Sequence, residues 1–393
     1  MVPTWKLTAV QVLALACLGI VIGQWLKRKI PLLDRLNIPA AIVGGMIYAL
    51  AALILRDRYV NLDADATLRD LLMIAFMTTI GLSARWQLIR EGGTQVIWML
   101  GIASVGAVLQ NVLGIGLAKA MWVDPRLGIL AGSVALTGGP GTSIAWGGTF
   151  EKMGVQGATA SAMASATFGI AVAGLIGGYI GGWLIRRYKL KPSVTSGAEA
   201  KAIPVSAEAS LLLKTVLVIG VAMGIGSLIS AGIERMGVIL PGYIGAMIAG
   251  AVIRNLDDRF RFADVSQREV DAVGRIALYL FIAMAMLTLR LWELAHLAVP
   301  LLIILAAQVV LCWLMCITIC YWSMGRDYEA AVMSAGFCGF MLGITANAVA
   351  CMEELAEKFG PARRAFLVVP VVGAFLVDFT NSLIITAMAN WLR

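Results

Sequence analysis

Charged residues are scarce in this chain. They make up 14% of its 393 residues, whereas 60% are hydrophobic. Soluble globular domains carry about 25% charged residues, so the composition excludes an ordinary soluble domain and indicates a protein that crosses a membrane several times. The net charge of +8 raises the possibility of nucleic-acid binding. However, the basic residues cluster at the ends of apolar runs, as in Lys27-Arg28-Lys29, where they orient helices in a membrane. We therefore expect membrane lipids around the chain and no nucleic-acid partner.

Residues that support enzyme chemistry are also rare. The chain has one histidine, His296, at the end of an apolar run, and no pair of aspartates within the apolar segments. A glycine-rich phosphate loop is excluded because no Gly-Lys-Ser/Thr follows the glycines. The six cysteines show no disulfide framework. Cys312, Cys316 and Cys320 share one helix face and are interpreted as small apolar residues at a helix contact. The sequence predicts neither an enzyme nor an organic cofactor.

Long apolar runs are abundant. About 20 residues at 1.5 Å per residue span the hydrocarbon core, and ten runs approach this length. They lie at 8–26, 38–55, 70–89, 95–118, 155–185, 212–232, 239–253, 274–292, 297–323 and 365–391. Two further apolar stretches, 126–147 and 328–350, are interrupted by glycines and are poor candidates for continuous spanning helices.

The two halves of the sequence repeat each other at a nearly constant offset. Pairs of matching residues are separated by 202 to 205 positions, the difference between their numbers. They are Pro39 and Pro241, Arg85 and Arg290, Asp124 and Asp327, Thr142 and Thr345, and Gly169 and Gly373. Such paired, glycine-interrupted halves are typical of secondary transporters.

The repeat and the charge distribution predict an all-α polytopic membrane protein with ten spans in total. Residues 1–188 form the first repeat, with a re-entrant hairpin near 126–147. Residues 189–211 form a cytoplasmic linker, and 212–393 form the second repeat, with its hairpin near 328–350. Each repeat has five transmembrane helices plus one hairpin, so the second is inverted relative to the first. The basic loops then lie in the cytoplasm and both termini outside it.

The two broken segments are the predicted substrate site. Backbone that is not helical at membrane depth must be buried in protein or line a wet cavity. Exposed amides there attract an anion, and free carbonyls and hydroxyls suit a hard cation. The alternative is a tight helix crossing built from small residues. The predicted substrate-binding residues are Thr137, Gly138, Gly139, Gly141, Thr142, Ser143, Gly336, Cys338, Gly339, Thr345 and Asn347.

A single acid near the middle of the last apolar run is the strongest candidate for binding a cation. An ionised aspartate at that depth costs about 2.5–3.5 kcal/mol, so Asp378 is expected to face a cation or the interior of the bundle. Asn381 lies on the same helix face. Pro370 and Gly373 are expected to bend this helix. Gln110 and Asn111 are further candidate sodium ligands, with hydrogen bonding between helices as the alternative.

Several stretches resemble bacterial sodium/glutamate symporters over nearly the whole chain. They are RDLLMIAFMTTIGLSA, AGSVALTGGPGTSIAW, ATFGIAVAGLIGG, GFCGFMLGIT and FGPARRAFLVVPVVGAFLVDFTNSLII. The resemblance implies a homodimeric inner-membrane carrier with two re-entrant hairpins. It also implies import of L-glutamate with co-transported sodium, by an elevator motion of a transport domain against a scaffold.

The chain departs from the family pattern beside both hairpin tips. Histidine is expected at Pro140 and Phe337, glycine at Met341, and proline and threonine at Ala346 and Asn347. The sequence therefore leaves an alternative open, a carrier of the same fold for another acidic amino acid or a dicarboxylate, coupled to protons in place of sodium.

Overall fold

The computed structural model describes residues 2–87, 93–192, 209–236, 241–294 and 296–392. Most of the predicted linker, residues 193–208, lies outside the described part. The first half contains β1 (Thr4–Leu7), α1 (Ala9–Lys29), α2 (Pro31–Arg35), α3 (Ala40–Leu55), β2 (Asn61–Ala64), α4 (Thr67–Ser83), α5 (Gly93–Ala120), α6 (Pro125–Ile129), α7 (Gly139–Lys152) and α8 (Ala158–Tyr188). A π-helical turn, Leu130–Val134, extends α6.

The second half is also largely helical. It contains α9 (Ala209–Glu234), α10 (Gly242–Phe260), α11 (Gln267–Leu287), α12 (Ala298–Ser323), α13 (Tyr328–Leu342), α14 (Thr345–Phe359), α15 (Arg363–Ala374) and α16 (Val377–Trp391). Each of the ten predicted apolar runs coincides with a helix or, for 365–391, with the pair α15 and α16. The predicted bend in that last run is confirmed, because α15 and α16 meet at 40°.

Six helices of the described residues are long and apolar enough to cross a membrane, and the bent pair α15–α16 makes a seventh candidate. The six are Ala9–Lys29, Gly93–Ala120, Ala158–Tyr188, Leu211–Glu234, Gln267–Leu287 and Ala298–Ser323. Helices α3 and α4 have only 16 and 17 residues, and α10 carries charged residues in its last turns. The chain is therefore a multi-pass membrane protein.

One detail corrects the all-α prediction. Strands β1 and β2 form a two-stranded parallel sheet in which Thr4 pairs with Asn61 and Leu7 with Ala64. The segment before α1 and the loop after α3 meet at the same end of the molecule, because α1 and α3 pack side by side. Their backbone N–H and C=O groups, which no helix satisfies, pair with each other.

Three of the five residue pairs matched in sequence lie at or near the start of a helix in both halves. Pro39 and Pro241 both precede a helix, with φ near −57° and ψ near 137° in each case. Asp124 and Asp327 both cap the N-terminus of a hairpin's first leg. Thr345 is the first residue of α14, and Thr142 lies in the first turn of α7.

The helices pack most extensively within two groups. Bundle A consists of α1, α3, α4, α9, α10 and α11. Bundle B consists of α5 to α8 and α12 to α16. The bundles meet through apolar side chains, among them Trp146 of α7 with Tyr243 and Met247 of α10.

Candidate functional site

Each broken segment folds into a helical hairpin with two antiparallel legs. In hairpin 1 (residues 125–152), Arg126 at the start of the first leg donates from Nη1 to the carbonyl of Met153, just after the second leg, at 3.0 Å. In hairpin 2 (residues 328–359), the hydroxyl of Tyr328 donates to the carbonyl of Gly360 in the same way. Both ends of each hairpin therefore lie at one end of the molecule, as a re-entrant segment requires.

The hairpin tips break because their backbone leaves helical geometry. Residues 135–138 separate the legs of hairpin 1, and Gly139 then begins α7 with φ of +65°, a conformation that side chains other than glycine rarely adopt. Gly343 and Ile344 separate the legs of hairpin 2. The tips touch each other, since a Cβ atom at Gly139 would lie 3.3 Å from Cγ2 of Ile344. The two glycine-rich segments, matched in the sequence, therefore lie against each other at their tips.

A cavity of about 740 Å³ lies between the two bundles, beside the hairpin tips. Bundle A contributes mainly α4 and α11, and bundle B contributes both tips, α14 and α16. Of the predicted site residues, five line it: Thr137, Gly138, Gly141, Thr345 and Asp378. The site thus brings together residues that are up to 241 positions apart in sequence, 378 minus 137.

Asp378 presents its carboxylate to this cavity from the first turn of α16. Within the described part of the chain, no side chain or backbone N–H donates a hydrogen bond to that carboxylate. The hydroxyl of Thr345 donates to the carbonyl of Gly373 at 2.6 Å, which fixes the start of α14 against the bend before Asp378. A carboxylate held beside hydroxyl and carbonyl oxygens is suited to a hard monovalent cation.

Gln110 and Asn111 lie behind the cavity and hold the hairpins in place. Gln110 accepts a hydrogen bond from Thr137 at 2.7 Å and donates to the carbonyl of Met341 at 2.8 Å, so one side chain joins both hairpins. The side-chain oxygen of Asn111 accepts from the backbone N–H of Ser133 at 2.9 Å. These contacts are the hydrogen bonding between helices that the sequence left open. The predicted role of both residues as sodium ligands stays a prediction.

Asn381 also contacts hairpin 1 and not the cavity. Its Nδ2 donates to the carbonyl of Ser133 at 2.9 Å. Three buried polar atoms around this point have no partner among the described residues: Oδ1 of Asn381, Oγ of Ser133 and Nδ2 of Asn111. Buried polar groups normally have hydrogen-bond partners. A bound water molecule can therefore partner any of these three atoms, and a cation can be bound by the two oxygens.

The remaining predicted residues pack the hairpins together. Gly139 lies at the contact between the tips, and Thr142 and Ser143 are buried in α7, where Ser143 bonds to the carbonyl of Gly139. A Cβ atom at Gly339 would lie 2.4 Å from Cα of Ala348, so the legs of hairpin 2 touch there. Like these four residues, the other three predicted residues do not line the cavity. Gly336 packs against Met352, Cys338 lies close to Cys312 and Cys316, and Asn347 donates to the carbonyl of Ile170 at 2.9 Å.

The structure adds three charged residues that the sequence did not assign to the site. Asp271 and Arg275 line the cavity from one face of α11, and Glu353 lines it from α14. In the sequence, Arg275 ends a basic stretch between two apolar runs, and Glu353 follows the second broken segment, and neither position points to a cavity. Asp271, Arg275, Leu278 and Ile282 are spaced three or four residues apart on α11. The sequence therefore indicates that they share one helix face. Nothing in the sequence identified what that face meets.

A multi-pass membrane protein with two broken hairpins meeting at a polar cavity belongs to the class of membrane transporters. The particular family follows from its sequence. The pattern of the sodium/glutamate symporter family matches residues 5–361, and the chain belongs to that family. It is a transporter and not an enzyme.

Two curated relatives carry the same description. The sodium/glutamate symporter of Haemophilus influenzae is 39% identical over 390 residues, covering 96% of each chain. The sodium/glutamate symporter of Escherichia coli is 38% identical over 393 residues, covering 97% of each chain. Among solved structures, that of the sodium proton antiporter MjNhaP1 from Methanocaldococcus jannaschii aligns over 98% of each chain, with 14% identity and a TM-score of 0.45.

Proposed function

We propose that this protein imports L-glutamate together with sodium ions across the bacterial inner membrane. The observation that carries the proposal is the shared cavity, which joins two hairpin tips and the carboxylate of Asp378. Membership of the sodium/glutamate symporter family supports the choice of substrate and of coupling ion.

The hairpin tips supply the groups that bind the substrate. Helices α7 and α14 both begin at the cavity, where Gly141 and Thr345 line its wall. The first N–H groups of a helix have no partner within the helix, and the helix dipole adds positive potential there, so both helix starts attract a carboxylate. The hydroxyls of Thr137 and Thr345 add hydrogen-bonding capacity.

Sodium is assigned to the side of the cavity formed by α16. Asp378 supplies a charged oxygen at the cavity wall, and the unpartnered oxygens of Asn381, one turn further along α16, and of Ser133 lie buried behind that wall. Sodium prefers oxygen ligands, as other hard cations do. Asp378 can alternatively bind the ammonium group of the substrate, whose positive charge offsets the same carboxylate.

We further propose that bundle B moves against bundle A as an elevator. The hydrogen bonds that fix the hairpins run to helices of bundle B, as those from Gln110, Asn347 and Asn381 show. The contact with bundle A includes large apolar side chains such as Trp146 and Tyr243. The buried polar atoms of this pair are only the indole Nε1 of Trp146 and the hydroxyl of Tyr243, so sliding disturbs little hydrogen bonding there, whereas hairpins tied to bundle B travel with it.

Ten spans in two inverted repeats, assembled as a homodimer, complete the proposed architecture. The six long apolar helices and the bent pair supply seven spans, and α3, α4 and α10 supply three more. Both termini are then extracytoplasmic. The pairing of β1 with β2 supports this topology, since it places the N-terminus and the acidic loop after α3 at one end of the molecule.

One observation favours a second candidate within the same fold. Two of the five departures from the family pattern, Pro140 and Ala346, line the cavity. Proline has no N–H to donate at the start of α7. A different acidic amino acid or a dicarboxylate is therefore the alternative substrate, and protons are the alternative coupling ion.

Equilibrium binding to the purified protein tests both candidates. We expect labelled glutamate to bind only when sodium is present. Unlabelled glutamate should displace it more strongly than aspartate, succinate or malate does. Tighter binding of one of these acids, or binding that depends on pH and not on sodium, would select the second candidate.

A further inference from the structure

The cavity carries four charged side chains among the described residues that line it. Asp378 and Glu353 lie on bundle B, and Asp271 and Arg275 lie on bundle A. Three acids and one base give a formal charge of −2. Arg275 is therefore the single cationic group among the described residues that line this cavity, which is proposed to accept an anionic substrate.

The guanidinium of Arg275 is available for a ligand. In the part of the chain that the structure describes, it takes part in no salt bridge and no hydrogen bond. Its neighbour Asp271, one helical turn earlier, is close enough to interact with its charge but makes its hydrogen bond with Nε2 of Gln267, at 2.8 Å. Two other arginines near this end of bundle A are engaged: Arg85 and Arg254 both contact Asp258, at 2.8 and 3.2 Å.

Arg275 is exposed and lies on the face of α11 that lines the cavity opposite the hairpin tips. Gly274, Leu278 and Ile282 line the same cavity from this helix, and the two hairpin tips form its other wall. A Cβ atom at Gly141 of hairpin 1 would lie 3.2 Å from Cδ1 of Leu278, so α11 touches the tip one turn beyond Arg275. Arg275 precedes Leu278 by three residues, about 4.5 Å of helix rise, and so lies next to the point where α11 touches hairpin 1.

We infer that Arg275 binds the side-chain carboxylate of an acidic amino acid while the hairpin tips bind its α-carboxylate. The inference rests on the proposed function. A guanidinium matches a carboxylate with two parallel hydrogen bonds, which an amide or an alkyl group cannot reproduce. Arg275 is thereby the residue that separates glutamate from glutamine. Because α11 and the hairpins belong to different bundles, the contact exists only in the arrangement of bundles seen here.

Equilibrium binding of glutamate and glutamine to purified variants, in saturating sodium, tests the inference. We expect Arg275→Gln to raise the Kd for glutamate by about tenfold or more, with little change for glutamine, since a site built for a polar group discriminates strongly against its loss. Arg275→Lys keeps the charge without the planar fork and should fall between. Arg268→Gln is the matched control: Arg268 is exposed on the same helix and does not line the cavity.

The double variant Asp271→Asn/Arg275→Gln distinguishes direct substrate binding by Arg275 from an indirect role, in which Arg275 only neutralises Asp271. Recovery of glutamate affinity in the double variant would overturn the inference, and so would an unchanged ratio of the two Kd values in Arg275→Gln. A wild-type protein that binds no glutamate in sodium would instead contradict the proposed function itself. Persistent loss of discrimination in the double variant supports direct binding.

Discussion

Asp378 is held beside a cavity by a helix that bends immediately before it. Pro370 lies inside α15, and the last residues of α15 belong to a π-helical turn, Val372–Leu376. Proline removes one helical hydrogen bond and a π-helical turn shifts the register, so the two together account for the 40° bend. The bend allows the hydroxyl of Thr345 to reach the carbonyl of Gly373. The carboxylate is therefore placed by backbone geometry and not by a salt bridge.

The variant Asp378→Asn should fold but lose sodium-dependent glutamate binding. Asparagine has nearly the same shape as aspartate and removes only the charge that attracts the cation. Titration of sodium against glutamate binding measures the effect. Glu357→Gln is the control, because Glu357 is an exposed acid of α14 that does not line the cavity. An unchanged sodium affinity in Asp378→Asn would remove Asp378 from the site.

At the scale of elements, Gln110 is the link between the two hairpins. Its side chain bonds to Thr137 and Met341, and its backbone carbonyl accepts from Nε2 of Gln308 at 2.7 Å. All of these atoms are buried, where an unpaired polar group costs about 1–3 kcal/mol. The contact between the tips therefore depends on a residue of α5 that does not line the cavity.

Gln110→Leu should lower the stability of the protein by about 1–3 kcal/mol for each group it leaves unpaired. Thermal unfolding in detergent measures the loss. Sodium affinity of the fraction that remains folded distinguishes the two roles proposed for Gln110. A stable Gln110→Leu protein with weakened sodium binding would show a ligand and not a structural link.

Each hairpin also begins at an aspartate that caps its first helix and contacts an arginine. Asp124 accepts from the backbone N–H of Arg126 and from its guanidinium, with the closest contact at 2.6 Å. Asp327 contacts Arg364 at 2.7 Å. Burial alone raises the pKa of Asp124, but the hydrogen bonds and the charge of Arg126 outweigh it and lower this pKa below its ordinary value of 3.8.

A lowered pKa in the folded state makes the contribution of Asp124 to stability dependent on pH. The contribution is complete above the unfolded pKa, near 3.8, and is lost as the pH falls through the lower folded value. Asp124→Asn retains a capping oxygen but not the charge. We expect it to reduce stability at pH 7 by at most about 1 kcal/mol, the scale of a solvent-accessible ion pair. The difference from wild type should vanish well below pH 4; a difference that grows on acidification would contradict this account.

The elements were predictable from sequence to different degrees. The ten apolar runs became helices because length and hydrophobicity in a membrane leave the backbone few alternatives. The broken segments were recognisable because Gly139 and Gly343 interrupt apolar stretches. The partners of Gln110 and Asn381 were not predictable, since they depend on which helices cross. Arg275 was missed for the same reason: only packing shows that its helix face meets the hairpins and not solvent. The pairing of β1 with β2 follows from α1 lying beside α3, which a local pattern does not reveal.

For the whole molecule, the two bundles and the cavity between them define the proposed transport cycle. Both hairpins, Asp378 and the oxygens near it belong to bundle B, whereas Arg275 belongs to bundle A. Relative movement of the bundles therefore separates one wall of the cavity from the other. In the proposed cycle, a substrate held by the hairpins would then be exposed first to one side of the membrane and later to the other.

Distances between the bundles should change during transport, and distances within one bundle should not. Spin labels at Arg268→Cys on bundle A and Arg326→Cys beside bundle B are expected to report a new distance when sodium and glutamate are added. The pair Phe260→Cys and Arg268→Cys, both on bundle A, is the control. Cys17→Ser provides the background, since Cys17 is exposed and the other five cysteines are buried. Identical distance distributions in both conditions would contradict the elevator proposal.

The most direct test of the central claim is uptake of radiolabelled glutamate by the purified protein in proteoliposomes. The account predicts accumulation of glutamate above its external concentration when a sodium gradient is directed inward, and loss of this accumulation when the gradient is collapsed. Uptake that ignores the sodium gradient, or that follows an imposed proton gradient instead, would contradict it.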